Sequence, residues 1–307
     1  MDYRKLIGVQ RLPAAVTHGR GVRIAILDSG IPPVSRLRRR MPDAPSNLHD
    51  QEDRLGHATA VASILFGGRG LTGLCELATA LYLKVLDDTG CGLVDTVSAG
   101  IQTALEHGAD IINLSLGFVR TESCPRALEH ACRLAFESGV PVICAAGNDG
   151  GPVNWPAALP QTISVGAAGV DGLQTAYSSI GTRRGEIDVI APGENLPVLN
   201  GANRVSTVSG TSFAAALITG LAALLIAEEK DRQKTISCEE IRYKIRSLAT
   251  DVGAEGWDVL TGFGIIGGKY RDPTVRQKIC GGFFAKIVEN IRGLLGLGQK
   301  EKQHGRV

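Results

Sequence analysis

Three reactive side chains fall where a strand would end or a helix begin. Asp28 follows the aliphatic run 22–27 and is itself followed by Ser29-Gly30. His57 ends the stretch Asp53-Arg-Leu-Gly-His57 and leads into a helical pattern at 58–65. Ser212 stands in Ser209-Gly-Thr-Ser212-Phe-Ala-Ala, where an almost wholly apolar stretch, 213–227, begins. Singly, each has an ordinary use: a carboxylate caps a loop, one of six histidines packs, a serine N-caps a helix. Jointly they are the set that acyl transfer requires. A serine hydroxyl is a poor nucleophile until a base removes its proton. Imidazole, with an ordinary pKa of about 6.5, can take that proton near neutrality and return it to a leaving amine. A carboxylate on the far ring nitrogen fixes the tautomer and stabilises the imidazolium.

The rest of the sequence supplies elements able to hold such groups together. The run 22–27 reads as a strand, and 162–167 and 187–191 as later strands. Those at 81–86, 111–114 and 140–146 barely alternate, which predicts strands buried on both faces of a parallel sheet. Helical patterns lie at 58–65, 94–107, 125–138, 213–227 and 237–248. Pro125 suits a first-turn position, where its missing N–H does no harm. The 213–227 stretch, apolar nearly all round, reads as a buried central helix. This alternation predicts an α/β fold of three layers, doubly wound around a mostly parallel sheet. Ligands bind such sheets at the C-terminal edge of the strands, where Asp28 falls.

Taken together these segments resemble the subtilase family of serine proteases over roughly residues 6–268. The resemblance rests on Ile24-Ala-Ile-Leu-Asp28-Ser-Gly30, on Asp53-x-x-Gly-His57-Ala-Thr and on Ser209-Gly-Thr-Ser212-Phe-Ala-Ala. Between them, Ile112-Asn-Leu-Ser115-Leu-Gly117 is similar to the substrate-binding strand and Ala145-Ala-Gly-Asn148 to the oxyanion segment. Trp155-Pro-Ala-Ala, Ile187-Asp-Val-Ile-Ala-Pro-Gly193 and Thr261-Gly-Phe-Gly-Ile-Ile are further landmarks. The chain order Asp, His, Ser is that of subtilisin.

The resemblance implies a triad of Asp28, His57 and Ser212, with Asn148 and the Ser212 N–H donating to the oxyanion. It implies a peptide or protein substrate bound as an extended strand between Ser115-Leu116-Gly117 and Gly90-Cys91-Gly92. Ala145-Ala146-Gly147 would border it, and Asn154 would form the base of the main specificity pocket. A neutral base disfavours a simple preference for Lys or Arg. The expected function is that of a serine endopeptidase working through an acyl-enzyme. The alternatives are a narrow processing peptidase acting on a leader or precursor, and an idle subtilase fold used as a binding module.

The chain also departs from the family pattern. Ala58 and Ala60 replace the usual glycine and histidine after the catalytic histidine, and alanine is the better helix former of Ala and Gly. Phe213-Ala-Ala-Ala216 replaces Met-Ala-Ala-Pro, so the following helix should run straighter. The segment between Ala62 and Lys84 is short where many relatives bind calcium, and Gly67-Gly-Arg-Gly70 offers no carboxylate. The usual calcium site is therefore expected to be absent, with structural calcium elsewhere left open. The chemistry itself requires no cofactor, and no catalytic metal site is expected.

Bulk properties exclude other classes. A net charge of +2 over 307 residues argues against nucleic acid as a partner. The cluster Arg36, Arg38, Arg39 and Arg40 beside prolines reads as a solvated loop. Seven cysteines without a C-x-x-C pair suggest neither a disulfide framework nor a zinc site. No secretory signal and no membrane-spanning run is evident, which fits a cytoplasmic location. Two units are expected: a catalytic domain over 1–268 and a C-terminal amphipathic helix with a polar tail over 269–307. Phe283, Phe284, Ile287, Val288, Ile291, Leu294 and Leu295 make the apolar face of that helix, suited to the protein body, a partner or a membrane surface. Only about 20 residues precede the first strand, too few for a separate pro-domain by the size rule for folded units. Residues 3–7 and the tail are then the candidate inhibitory elements.

Overall fold

The computed structural model describes residues 1–38 and 51–267. The predicted C-terminal helix and tail, together with Arg39, Arg40 and Cys280, lie outside the described residues.

Six strands form the central sheet: β1 (Arg23–Asp28), β2 (Thr79–Lys84), β3 (Ile111–Leu114), β4 (Val142–Ala145), β5 (Thr162–Ala168) and β6 (Val189–Pro192). Their order is β2-β1-β3-β4-β5-β6, and every pairing is parallel. The strands are buried along almost their whole length, as a parallel sheet covered on both faces requires. In β1, Ile24 and Ile26 join one core while Ala25 and Leu27 join the other, the period-2 alternation of a strand.

Two helical layers cover the sheet. The helices α3 (His57–Phe66) and α6 (Thr211–Asp231) share the core of Ile24 and Ile26. On the opposite face α4 (Val94–Glu106) and α5 (Arg126–Glu137) bury Val97, Ile101, Leu128 and Ala135 with Ala25 and Leu27. The last helix, α7 (Cys238–Leu248), starts with a capping box between Ser237 and Glu240. It contributes Ile241 and Ile245 to the α6 side.

With Ala216 where relatives have proline, α6 runs unbroken for 21 residues. Among the described residues it alone is long and apolar enough to cross a membrane, and it is the buried centre of this fold. Most boundaries move by one or two residues from those the sequence suggests: β1 takes in Asp28, β2 starts at Thr79, β6 starts at Val189, and Pro125 is the N-cap of α5. The end of α6 moves further, four residues past the expected one.

Some features carry no clear sequence signal. A two-stranded antiparallel hairpin, β7 (Leu196–Leu199) with β8 (Val205–Val208), precedes α6. The short helices α1 (Tyr3–Leu6) and α2 (Ser35–Arg38) lie outside the sheet. The segment considered above as an inhibitory element is part of the core instead. Tyr3 is fully buried and donates its hydroxyl to the Pro197 carbonyl, and Ile7 packs in the same cluster.

Candidate active site

Chain topology places the site. The chain leaves β1 for β2 on one side and later returns to β3 on the other, so the C-terminal ends of β1 and β3 flank a crevice. Asp28 is the last residue of β1, and Ser115 follows β3 by one residue. The segment after β4 leads to Asn148. The N-termini of α3 and α6 bring His57 and Ser212 to the same edge.

Asp28 is fully buried, and its carboxylate meets His57 Nδ1 at 2.8 and 2.9 Å. A carboxylate can only accept, so Nδ1 carries the proton and Nε2 keeps a lone pair. The Ser29 N–H (2.7 Å) and hydroxyl (3.0 Å) also donate to Asp28 Oδ1. The His57 ring packs against Phe213, with centroids 5.4 Å apart. Burial disfavours the charged imidazole, but Asp28, through charge and hydrogen bond, and Asp53, through charge, outweigh it. The pKa of His57 is raised above its ordinary 6.5. On this account His57 stabilises the folded state fully below 6.5, and the gain is lost as pH rises through the raised value.

Ser212 is held by a different kind of network. Its hydroxyl donates to the Ser115 carbonyl at 2.9 Å, while the Ser115 hydroxyl donates to the Ser212 carbonyl at 2.8 Å. Behind them Asn113 Nδ2 donates to Ser115 Oγ (2.9 Å), and Thr219 Oγ1 donates to Asn113 Oδ1 (2.8 Å). These four residues are buried and strap α6 to β3.

Asn148 is oriented by Thr211, whose N–H (2.8 Å) and hydroxyl (3.0 Å) both meet its Oδ1. Its Nδ2 is thereby free to donate into the cleft beside Ser212, whose own N–H lies in the first turn of α6 without an intrahelical acceptor. Gly147 has φ 122°, a region that side chains disfavour; a Cβ there would lie 2.6 Å from Asn154 Nδ2 and strike Ser179 Oγ.

A cleft of about 470 Å³ joins these groups. It is lined by His57, Ser212, Asn148, Gly90, Cys91, Gly92, Ser115, Leu116, Gly117, Ala145, Gly147 and Asn154, all anticipated from sequence. Two anticipated residues lie behind its surface. Asp28 is covered by His57. Ala146 is fully buried and does not reach the cleft, because its carbonyl accepts the Asn154 N–H (2.9 Å) and faces the protein. Leu55, Leu86, Phe118 and Thr211 also line the cleft and were not anticipated. Exposed Leu55 sits on no periodic pattern, whereas Phe118 was within reach of a register argument: it bridges Trp155, with N–H to carbonyl distances of 2.7 and 2.9 Å.

Behind that wall the Arg120 guanidinium stacks 5.1 Å from the Trp155 ring centroid and pairs with Glu186 at 2.8 Å. Burial raises the Glu186 pKa, but Arg120, Thr182 and Arg183 prevail and hold it at about 2. Its contribution to stability is present above the ordinary glutamate value and lost as pH falls towards 2.

A parallel α/β sheet carrying Asp, His and Ser at its C-terminal edge, with an amide donor beside the serine, defines a hydrolytic class of α/β protein. The chain belongs to the subtilase family, whose sequence profile matches residues 19–264. It is 32% identical over 263 residues to a subtilisin of Bacillus pumilus, covering 80% of this chain and 92% of that one. It is 31% identical over 262 residues to subtilisin NAT of Bacillus subtilis subsp. natto, again covering 80% of this chain. It spans only 66%, just under two thirds, of that relative's full length. Among solved structures it resembles a lanthipeptide protease (TM-score 0.75, 24% identity, 86% of this chain and 90% of the other). It also resembles a serine-to-alanine mutant of the protease domain of PatA (TM-score 0.69, 25% identity, 84% and 94%).

Proposed function

We propose that the protein is a serine endopeptidase that cleaves peptide bonds through an acyl-enzyme. The observation that carries this reading is the bonding of His57 Nδ1 to buried Asp28, in one cleft with Ser212 and Asn148. Ser212 Oγ is the nucleophile. In the resting geometry it donates to the Ser115 carbonyl, so it turns to His57 Nε2 as substrate enters. His57 takes its proton and passes it to the leaving amine, and Asp28 steadies the imidazolium. Asn148 Nδ2 and the Ser212 N–H receive the oxyanion at the positive end of α6.

An extended peptide fits between the Gly90–Gly92 and Ser115–Gly117 segments, with Asn154 at the base of the specificity pocket. Only protein groups take part in this chemistry, and any calcium would be structural. A cytoplasmic location belongs to the same reading, supported among the described residues by the free thiols of Cys91, Cys124, Cys132, Cys144 and Cys238.

A serine-reactive phosphonate tests the assignment. It should label the wild-type chain and not Ser212→Ala. Labelling that persists in the variant would overturn Ser212 as nucleophile, and a wild-type chain that never labels would favour an idle binding module.

A second reading, a narrow peptidase that trims a leader or precursor, comes from the description of one fold neighbour as a lanthipeptide protease. A shared fold does not choose between the two. Broad cleavage of casein selects the general endopeptidase, and cleavage of a single natural precursor without casein turnover selects the second.

A further inference from the structure

Asp53 is the one buried carboxylate beside the Asp28–His57 pair that the chemistry above leaves without a task. It is 2% exposed, and among the described residues no cation pairs with it. Its oxygens accept four hydrogen bonds: Oδ1 from Gly56 N–H (2.7 Å) and Ser29 Oγ (2.8 Å), Oδ2 from Thr59 N–H (2.7 Å) and Oγ1 (2.5 Å).

The identity of these donors is informative. Gly56 and Thr59 stand on either side of His57 in the chain, and Ser29 follows Asp28 directly. One carboxylate therefore grips the backbone around the imidazole and the residue next to the aspartate that holds it. In doing so it caps α3, whose N-cap residue, Gly56, has no side chain for the purpose.

A helix cap needs no charge buried this deeply. A threonine or asparagine could accept the same amides, and removing an anion from water is costly unless something nearby gains from it. The group that gains is His57. The Ser29 hydroxyl lies between the two carboxylates, 3.0 Å from Asp28 Oδ1 and 2.8 Å from Asp53 Oδ1, with one proton to share. When the imidazole becomes a cation during turnover, two carboxylates and one movable hydroxyl proton face a single positive charge.

Resting on the peptidase reading, we propose that Asp53 is a positioning residue for the Asp28–His57 pair that also supplies negative charge to the imidazolium. The other groups around His57 come from several elements and form a constant background. Ser212 and Phe213 come from α6, and Cys91 from the opposite edge of the cleft. Lys84 of β2 donates to the Ser29 and Glu52 carbonyls (3.0 and 3.1 Å) and pairs with Asp88 (2.7 Å), which Arg54 also meets at 3.1 Å. Lys84 and Arg54 would lower the His57 pKa, so they cannot produce the raised value.

The test follows the His57 ring by NMR titration of the full chain, its signal assigned as the one lost in His57→Gln. This readout needs no turnover, so it can fail while the peptidase reading stands, and phosphonate labelling can fail independently of it. Asp53→Asn should move the His57 midpoint to lower pH, with a parallel move in the acid limb of kcat/KM and little change in KM. Thr59→Val removes a hydroxyl donor to Asp53 without removing its charge, so the midpoint should stay or rise and should not fall. A folded Asp53→Asn protein with an unmoved midpoint, or an equal fall in Thr59→Val, would overturn the proposal. Should Asp53→Asn not fold, Ser29→Ala decides. Losing the shared proton leaves both carboxylates more negative towards the ring, so the midpoint should rise, and an unchanged or lower midpoint refutes the idea.

Discussion

The two sides of the cleft are built from opposite materials. Around His57 the buried polar groups are anions, Asp28 and Asp53, held by main-chain amides and the hydroxyls of Ser29 and Thr59. Around Ser212 they are neutral, Thr219, Asn113, Ser115, Thr211 and Asn148, and the chain of bonds ends in carbonyl oxygens and a helix N-terminus. The difference matches the charge each side must hold in the proposed reaction. Positive charge develops on the imidazole, so carboxylates belong there. Negative charge develops on the carbonyl oxygen, where a carboxylate would repel it and fixed neutral dipoles stabilise it without reorganising. Low local dielectric strengthens both effects, so exchanging the two materials would harm both sides.

The largest break in this pattern comes from the neutral side. Asn148→Ala leaves Ser212 and His57 in place and removes the side-chain donor. A loss on the order of 10² to 10³ in kcat with KM little changed is expected, a magnitude carried over from subtilisin itself. Because Oδ1 of Asn148 also anchors Thr211, the melting temperature of the variant separates the two roles. A fall in kcat without a fall in stability assigns the effect to the oxyanion, while loss of both in proportion would dissolve the contrast between the two sides.

A smaller effect is expected deeper in the same network. Thr219→Val keeps the volume of a fully buried residue but leaves Asn113 Oδ1 without its donor. The cost should be about 1–3 kcal/mol of stability, the desolvation penalty of an unpaired buried acceptor. Ser212 keeps its own bonds to Ser115, so kcat should fall far less than in Asn148→Ala. Denaturant unfolding and turnover measured on one preparation would check both, and a variant as stable as the wild type would show that the strap contributes nothing.

The charged side was more legible in the sequence than the neutral one. Asp28 and His57 stand at ends of elements whose aliphatic runs are hard to misread, and parallel pairing then brings them to one edge. Asn113 and Thr219 sit 106 positions apart inside stretches that read simply as strand and helix, so their bond depends on how α6 crosses β3. Asp53 lay in plain view as a residue before the histidine, but its burial and its grip on Ser29 depend on the fold. The hairpin of β7 and β8 escaped for another reason: β8 alternates exposed and half-buried residues, so its apolar signal is weak, and Pro197 is an unfavourable marker inside β7. Ala146 failed in the opposite sense. It neighbours Ala145 and Gly147, which do line the cleft, but in extended chain successive residues face opposite ways.

The smallest expected effect lies at the rim, where neither material is present. Cys91 is exposed on the cleft edge, with its N–H fixed by Asp87 Oδ1 at 2.9 Å. The other described cysteines are buried, and burial pushes the thiols of Cys124 and Cys238 up to about 12 and about 11, where the reactive thiolate is scarce. In a Cys280→Ser background, which removes the thiol outside the described residues, a bulky thiol reagent should therefore react quickly with one cysteine. If the reagent forms a mixed disulfide, peptide hydrolysis should slow in step with that reaction and recover when a reducing thiol cleaves the adduct, since the adduct stands in the path of an extended substrate without touching Ser212 or His57. A further Cys91→Ser change should abolish both the fast labelling and the slowing. If the adduct forms at Cys91 and hydrolysis continues undisturbed, substrate does not run along the Gly90–Gly92 edge, and the rim has no part in binding on either side of the cleft.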